Sequence, residues 1–309
     1  MVVGSHGPWK LTTGEGVSPD KLTTGGAKRR LTGGASAPTN LRRAAPIMEL
    51  FYRSYGDKTN SPMVILHGLF GMSDNWGSIA KKLADEGFYV LLPDQRNHGR
   101  SGHSEVFNYV AMVDDLLEFF DAKELGEVVL VGHSMGGKTA MQFALDYPER
   151  LRSLVVADMS PAASDHGDVH TGIIDKLLDI DLSGYSSRQE VTEALRKAIP
   201  NARLRQFLKK NLYWKDRSTL GWRINLEVVR DNLEEVFRPI DSSQTFDKPV
   251  LFIRGANSDY LIDEDIPRIH QLFPKAEITT IEDASHWLHA EQPEAFVEAV
   301  RHHSVNPSP

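Results

Sequence analysis

The feature that most restricts the fold of this sequence is an apolar run that ends in the pattern Gly-x-Ser-x-Gly. Residues 128–131 are Val-Val-Leu-Val, and Gly132-His-Ser-Met-Gly follows directly, before a helix-like stretch over 138–145. The pattern predicts a sharp strand-to-helix turn that lifts the hydroxyl of Ser134 out of the backbone. A side chain at Gly132 or Gly136 would collide with the neighbouring strand or helix at so tight a bend. Ser134 is therefore the candidate nucleophile.

Short apolar runs alternate with amphipathic runs along most of the chain. The predicted strands are residues 49–55, 63–67, 89–93, 128–131, 153–158, 250–254 and 277–281. The predicted helices are residues 76–85, 109–120, 135–145, 264–273 and 294–302. Short, fully apolar strands that alternate with helices indicate a mostly parallel sheet covered by helices on both faces.

The alternation stops between about residues 160 and 247, where only helical periodicity is present and no strand-like run occurs. A segment inserted between two parallel strands would lie over their carboxyl ends, where ligands bind. We therefore expect a helical cap over 161–247 and a core formed by 48–160 and 248–303. Three aromatic residues of the cap either line the substrate pocket or fill the interior of the cap. They are Tyr213, Trp214 and Trp222.

A serine nucleophile needs a base, and a third group has to orient that base. In an architecture of this kind the three groups follow the chain order serine, acid, histidine. His286 comes just after the last predicted strand and is the candidate base, with His289 as its rival. Asp158 ends one predicted strand and Asp259 follows another, so either carboxylate can reach the histidine. We favour Asp158 and keep Asp259 as the alternative.

Backbone amides must stabilise the negative charge that develops on the substrate carbonyl oxygen. The residue after the nucleophile, Met135, supplies one of them. The second comes from the loop after an early strand, where Leu69 is the first candidate and Phe70 the second. His67, at the start of the same loop, is interpreted as a hydrogen-bonded loop anchor rather than a catalytic group.

Composition excludes several classes of function. The 309 residues include no cysteine, which rules out disulfides, thiolate catalysis and cysteine-based zinc sites. The twelve histidines are scattered, so no metal site or cofactor is expected. A net charge of -7 argues against nucleic acid as a partner. No apolar stretch reaches the length of a membrane span, so no spanning segment is expected. The candidate nucleophile and the oxyanion amides indicate a small-molecule ester as the partner.

Residues 1–47 differ from the rest of the chain. They carry a net charge of +5, against -12 for the remainder, and repeat the phrase Lys-Leu-Thr-Thr-Gly. Such a composition cannot bury enough apolar area to order itself. We expect an added or upstream-frame extension, with a disordered native tail and a transit peptide as alternatives. A cytoplasmic location is preferred to a mitochondrial one.

The motifs together resemble the α/β-hydrolase superfamily, and within it the YbfF-type bacterial esterases and their mitochondrial abhydrolase relatives. The matching segments, which fall within about residues 48–302, are 67–71, 73–76, 94–101, 132–138, 158–161, 222–225 and 286–291. The resemblance implies an α/β-hydrolase fold with a small helical cap, and esterase activity on short or medium acyl chains without a cofactor. In the YbfF-type pattern the acid occupies the position of Asp158.

The sequence leaves other uses of the same residues open. A thioesterase, a lactonase, a C–C hydrolase and a cofactor-free perhydrolase share the serine, the histidine and the acid. A binding module without catalysis is disfavoured because such proteins usually lose a member of the triad or a glycine of the turn. Ser134 also distinguishes the chain from dehalogenases and epoxide hydrolases of this fold, which place an aspartate there.

Overall fold

A computed structural model of the protein describes residues 46–305. The interpretations offered for residues 1–47 therefore concern a segment of which all but the last two residues lie outside the described part of the chain. Within residues 46–305, no helix is both long enough and apolar enough to cross a membrane.

Seven of the nine described strands form one sheet. The strands are β1 (Tyr52–Tyr55), β2 (Ser61–Leu66), β3 (Phe88–Pro93), β4 (Val128–His133), β5 (Leu151–Ala157), β6 (Leu212–Trp214), β7 (Leu220–Trp222), β8 (Val250–Gly255) and β9 (Ala276–Ile281). The order across the sheet is β1-β3-β2-β4-β5-β8-β9. Within this seven-stranded sheet, only the β1–β3 pair is antiparallel. The mostly parallel sheet predicted from the sequence is confirmed.

Helices lie on both faces of this sheet and in the segment between β5 and β8. They are α1 (Gly77–Asp85), α2 (Tyr109–Ala122), α3 (Met135–Asp146), α4 (Gly167–Leu178), α5 (Arg188–Ala198), α6 (Ala202–Lys209), α7 (Leu226–Asp231), α8 (Leu233–Phe237), α9 (Ile266–Leu272), α10 (Leu288–Glu291) and α11 (Pro293–Val305). Helices α2, α3 and α9 contribute to the core on one face, and α1 and α11 to the core on the other.

The central strands are apolar throughout because each face of the sheet has its own core. In β2, Val64 and Leu66 pack with α2 and α3, whereas Met63 and Ile65 pack with α1 and α11. All four side chains are almost completely buried. Burial of such a side chain contributes about 1.5 to 3 kcal/mol. The two cores fix the position of the strand ends from which the site is built.

The segment between β5 and β8, which we call the cap, packs around an apolar cluster of its own. The cluster also includes Leu69, Phe70 and Met135 from the rest of the described chain, which we call the core. The expectation that this segment contains no strand is wrong, because β6 and β7 form an antiparallel hairpin. Each strand has only three residues, too few for an alternating pattern to be recognised. The hairpin loop is closed by Asp216, whose carboxylate accepts hydrogen bonds from the amides of Ser218 and Thr219.

Polar contacts fix this segment on the core. The amide of Asn225 donates to the carbonyl of Asn97 over 2.9 Å. The buried side chain of Asn211 donates to the carbonyl of Phe70 over 2.8 Å. Lys138 of α3 donates to the carbonyl of Arg238. Two motifs picked out in the sequence, 94–101 and 222–225, are therefore brought together across the boundary between core and cap.

Candidate active site

Ser134 lies at a sharp turn between β4 and α3. Its backbone has φ 54° and ψ -122°, and its amide donates to the carbonyl of Ala157 over 3.1 Å. A Cβ atom at Gly132 would overlap the carbonyl of Gly136, and one at Gly136 would overlap the carbonyl of Leu66. The predicted need for both glycines is confirmed. Backbone this strained persists only where its surroundings hold it, and such residues cluster at functional sites.

His286 joins Ser134 to Asp158. Its Nε2 is 3.0 Å from the hydroxyl oxygen of Ser134, and its Nδ1 is 2.7 Å from Oδ2 of Asp158. His286 lies in the loop between β9 and α10, and Asp158 follows β5 directly. Because the carboxyl ends of parallel strands meet at one edge of the sheet, residues more than 120 positions apart come into contact.

The carboxylate of Asp158 is completely buried and accepts from three donors. Oδ1 accepts from the amide of Gly255 over 3.0 Å, and Oδ2 accepts from His286 and from the hydroxyl of Ser258. Asp158 also adopts a positive φ of 49°. Ser258 is a residue that the sequence reasoning missed, since a lone serine in a loop carries no signal. Its hydroxyl helps to hold the carboxylate in one orientation.

The alternative acid and the alternative base are both placed elsewhere. Oδ1 of Asp259 lies 3.0 Å from Nε2 of His166 rather than beside His286. The ring of His289 stacks on Trp76, with centroids 4.0 Å apart. Burial lowers the pKa of His289 well below its ordinary value. Its Nδ1 has no hydrogen-bond partner in the described part of the chain.

The amides proposed to stabilise the substrate oxyanion differ in availability. The Phe70 amide donates to Nε2 of His98 over 3.3 Å, so it is already engaged. Leu69 lines the cavity above Ser134, and Met135 is the first residue of α3. Within residues 46–305, neither the amide of Leu69 nor that of Met135 donates a hydrogen bond to another protein group. The geometry therefore favours Leu69 over Phe70 as the second donor.

His67 and His98 support this loop from below. Nε2 of His67 accepts from the amide of Gln95 over 2.9 Å, and Nδ1 donates to the carbonyl of Gly68 over 2.9 Å. Nδ1 of His98 donates to the carbonyl of Arg96 over 3.0 Å. Burial lowers the pKa of His67, and burial beside His67 lowers the pKa of His98 to about 3. Both rings are thus neutral, and His67 anchors the loop as expected.

His133 fixes the backbone of the candidate base. Its Nε2 donates to the carbonyl of His286 over 2.8 Å. Burial, together with the nearby His286, lowers the pKa of His133 to about 3. The ring therefore remains a neutral donor at physiological pH. No sequence pattern indicated this contact, because the two residues are 153 positions apart.

A cavity of about 280 Å³ opens above Ser134. Its walls are mainly apolar and include Phe70, Val169, Ile173, Leu204, Phe207 and Trp287. Helices α4 and α6 of the cap supply four of these side chains. Within residues 46–305, no group of three or more acidic or histidine side chains is arranged to hold a metal ion.

The expectation that Tyr213, Trp214 and Trp222 line the pocket is not met, since none of them borders this cavity. All three belong to the β6–β7 hairpin. The guanidinium of Arg223 lies 4.6 Å from the ring centroid of Tyr213, Trp214 is 41% exposed, and Trp222 packs against the apolar cluster of the cap. The three aromatic residues thus have different surroundings, and none of them contacts the cavity.

Comparison with known proteins agrees with this architecture. A family model described as the alpha/beta hydrolase fold matches residues 61–293. The sn-1-specific diacylglycerol lipase ABHD11 of Danio rerio is 40% identical over 267 residues, covering 84% of each chain. Esterase YbfF of Escherichia coli is 34% identical over 242 residues, covering 78% of this chain and 92% of its own.

Among solved structures, a marine microorganism esterase is 42% identical with a TM-score of 0.79. The match covers 82% of this chain and 98% of that one. The chain therefore belongs to the α/β-hydrolase fold family, as a serine hydrolase of the esterase class.

Proposed function

We propose that the protein hydrolyses carboxylic esters with short to medium acyl chains through a triad of Ser134, His286 and Asp158. The observation that carries this proposal is the continuous chain of contacts from Asp158 to His286 and on to Ser134, at 2.7 and 3.0 Å. These contacts lie at the base of an apolar cavity large enough for a small acyl group. The arrangement has the geometry of a nucleophile, a base and an orienting acid.

In the acylation step, Nε2 of His286 takes the hydroxyl proton of Ser134 while the serine oxygen attacks the ester carbonyl. Asp158 holds Nδ1 protonated, so that Nε2 is free to accept, and it stabilises the imidazolium that forms. The amides of Leu69 and Met135 donate to the carbonyl oxygen as it becomes negative. His286 then gives the proton to the departing alcohol, which leaves an acyl group on Ser134.

In the deacylation step, His286 takes a proton from a water molecule, and the resulting hydroxide attacks the acyl carbonyl. The tetrahedral intermediate collapses, the acid leaves, and the proton returns to Ser134. Both half-reactions use the same oxyanion donors. The substrate is therefore split into alcohol and acid without any cofactor in the scheme.

The apolar wall supports the proposed chain length. Each methylene that moves from water to an apolar surface gains about 0.8 kcal/mol, so kcat/KM should rise with chain length until the cavity is filled. Longer chains then project into solvent or displace the wall. A cavity of about 280 Å³ is consistent with an optimum at short to medium length.

A series of p-nitrophenyl esters from acetate to dodecanoate tests the proposal, with Ser134→Ala as the control. We expect an optimum between butyrate and octanoate, and a loss of at least about 10⁴-fold in kcat for the alanine variant. Turnover by Ser134→Ala within tenfold of the wild type would refute the triad. A rise that continues to dodecanoate would refute the chain length while leaving the triad intact.

A second candidate substrate follows from the 40% identity to the diacylglycerol lipase of Danio rerio. A diacylglycerol combines a glyceryl leaving group with longer acyl chains. Hydrolysis of 1,2-dioctanoylglycerol at a kcat/KM above that of p-nitrophenyl octanoate would favour it. Butyryl-CoA in the same assay tests the thioester alternative. The cytoplasmic location stays a prediction, which fractionation of cells expressing the full chain would check.

A further inference from the structure

Three rings are stacked beside the candidate nucleophile. The ring of Tyr260 lies almost parallel to His286, with centroids 3.6 Å apart and an angle of 18°. The ring of His166 covers the opposite face of Tyr260, at 3.8 Å and 17°. Tyr260 belongs to the loop after β8, and His166 directly precedes α4 of the cap. The stack therefore connects the cap to the proposed base.

The outer ring of the stack is fixed by two polar contacts. Nε2 of His166 lies 3.0 Å from Oδ1 of Asp259, and Nδ1 lies 2.6 Å from the hydroxyl of Ser164. Donation to the carboxylate from Nε2 leaves Nδ1 to accept from the serine hydroxyl. The His166 ring consequently cannot rotate without breaking both contacts. It holds Tyr260 against the face of His286.

Tyr260 contributes a π-face to His286 while both imidazole nitrogens contact other groups. Nδ1 and Nε2 of His286 already face Asp158 and Ser134. The face of an aromatic ring carries partial negative charge and attracts a cation placed over it. Burial raises the pKa of the Tyr260 phenol, so the ring stays neutral throughout the working range of the enzyme. The Tyr260 ring therefore favours the imidazolium over the neutral imidazole.

We propose that Tyr260 is a positioning residue for His286, which it orients by stacking and stabilises in the protonated state that forms during ester hydrolysis. His166 braces Tyr260 from the cap side. The proposal rests on the proposed function, in which His286 is the base.

Other titratable groups also face or lie near His286, and they are the same residues in every variant compared below. Burial lowers the pKa values of three histidines near it, which favours their neutral form. The groups are Asp158 after β5, His133 of β4, His170 of α4, His289 of α10, and His166 and Asp259 behind Tyr260.

The test compares Tyr260→Leu with Tyr260→Phe by the pH dependence of kcat/KM for p-nitrophenyl butyrate between pH 5 and 9. The leucine variant has no π-face, so the imidazolium is less stable. We expect its plateau to fall about tenfold and its rising limb to move about half a unit to lower pH. The phenylalanine variant keeps the face and should remain within about twofold of the wild type.

Active sites are counted with a fluorophosphonate, so that rates refer only to folded enzyme, and Tyr260→Met serves as a second variant without a ring. A lower plateau with an unmoved limb in both the Leu and Met variants would overturn the proposal, because it would indicate packing alone. A wild-type profile in both would overturn it as well. If Ser134→Ala kept its activity, the triad itself would fail, which is a separate outcome.

Discussion

The two sides of the cavity are built on different principles. Its base, which we call the floor, is built around the proposed triad of Ser134, Asp158 and His286 on strand-end loops. Two of these residues have positive φ, and their positions are fixed by backbone hydrogen bonds to neighbouring strands. The opposite side, the cap wall, consists of the cavity-lining side chains of α4 and α6. There Val169 is 62% exposed, and apolar packing determines the shape.

This difference assigns the reaction to the floor and the choice of substrate to the wall. Backbone contacts with a buried sheet tolerate little change, so the floor presents the same reacting groups to every substrate. Exposed wall side chains such as Val169 can be exchanged at small energetic cost, so the wall can change which substrates fit without changing the reaction. Mutations on the floor should therefore affect kcat or stability strongly, and mutations in the wall should affect substrate preference.

The largest expected effect comes from the acid on the floor. Asp158→Asn should lower kcat by about 10⁴-fold, because an amide can hold His286 in the wrong tautomer. Asp259→Asn is the matched control, and its side chain is 81% exposed. The asparagine amide oxygen can still accept from His166, and Asp259 does not contact His286, so we expect less than about a threefold loss. Steady-state kinetics on p-nitrophenyl butyrate would measure both, and equal losses would contradict the assignment.

The same substitution in two helices compares floor and cap in stability. Gly136→Ala in α3 places a methyl group against the carbonyl of Leu66, so we expect a loss of about 3 kcal/mol in the free energy of unfolding. Gly172→Ala in α4 meets no atom within 4 Å, and should stabilise the protein by up to about 1 kcal/mol. Urea unfolding would measure both, and the comparison would fail if the two changes had the same sign.

Acidification probes the neutral histidines that are buried beneath the loop after β2. The folded pKa of His98 is about 3, below its unfolded value, so only the unfolded state binds this proton between about pH 6.5 and 3. Stability therefore decreases as the pH falls through this window, by about 1.4 kcal/mol per unit for one such group. His98→Gln cannot titrate and should lose less stability between pH 7 and 5. A slope equal to that of the wild type would contradict this.

The smallest expected effect concerns the cap wall. Phe207→Ala enlarges the cavity, so kcat/KM for butyrate should fall about tenfold while longer esters are affected less. Trp214→Ala removes an aromatic residue of similar size that does not border the cavity, and should leave the chain-length profile unchanged. If Trp214→Ala alone changed the chain-length profile, the β6–β7 hairpin would have to contribute to substrate binding.

The floor could be predicted from the sequence because its constraints are local. The two glycines around Ser134 allow the sharp turn that the serine requires. Asp158 ends one predicted strand and His286 follows another, which places both residues at the same edge of the sheet. Three other features could not be predicted in the same way. The β6–β7 hairpin, the contact of Ser258 with Asp158 and the stack of Tyr260 on His286 depend on residues that only tertiary packing brings together.

The most direct test of the central claim is a map of the site of covalent modification. The protein is treated with an equimolar alkyl fluorophosphonate, digested and analysed by mass spectrometry, and residual esterase activity is measured in parallel. We predict one adduct per chain, on Ser134, with activity lost in proportion to labelling and no adduct in Ser134→Ala. Full loss of activity with the label on another residue, or full activity after complete labelling of Ser134, would contradict the account.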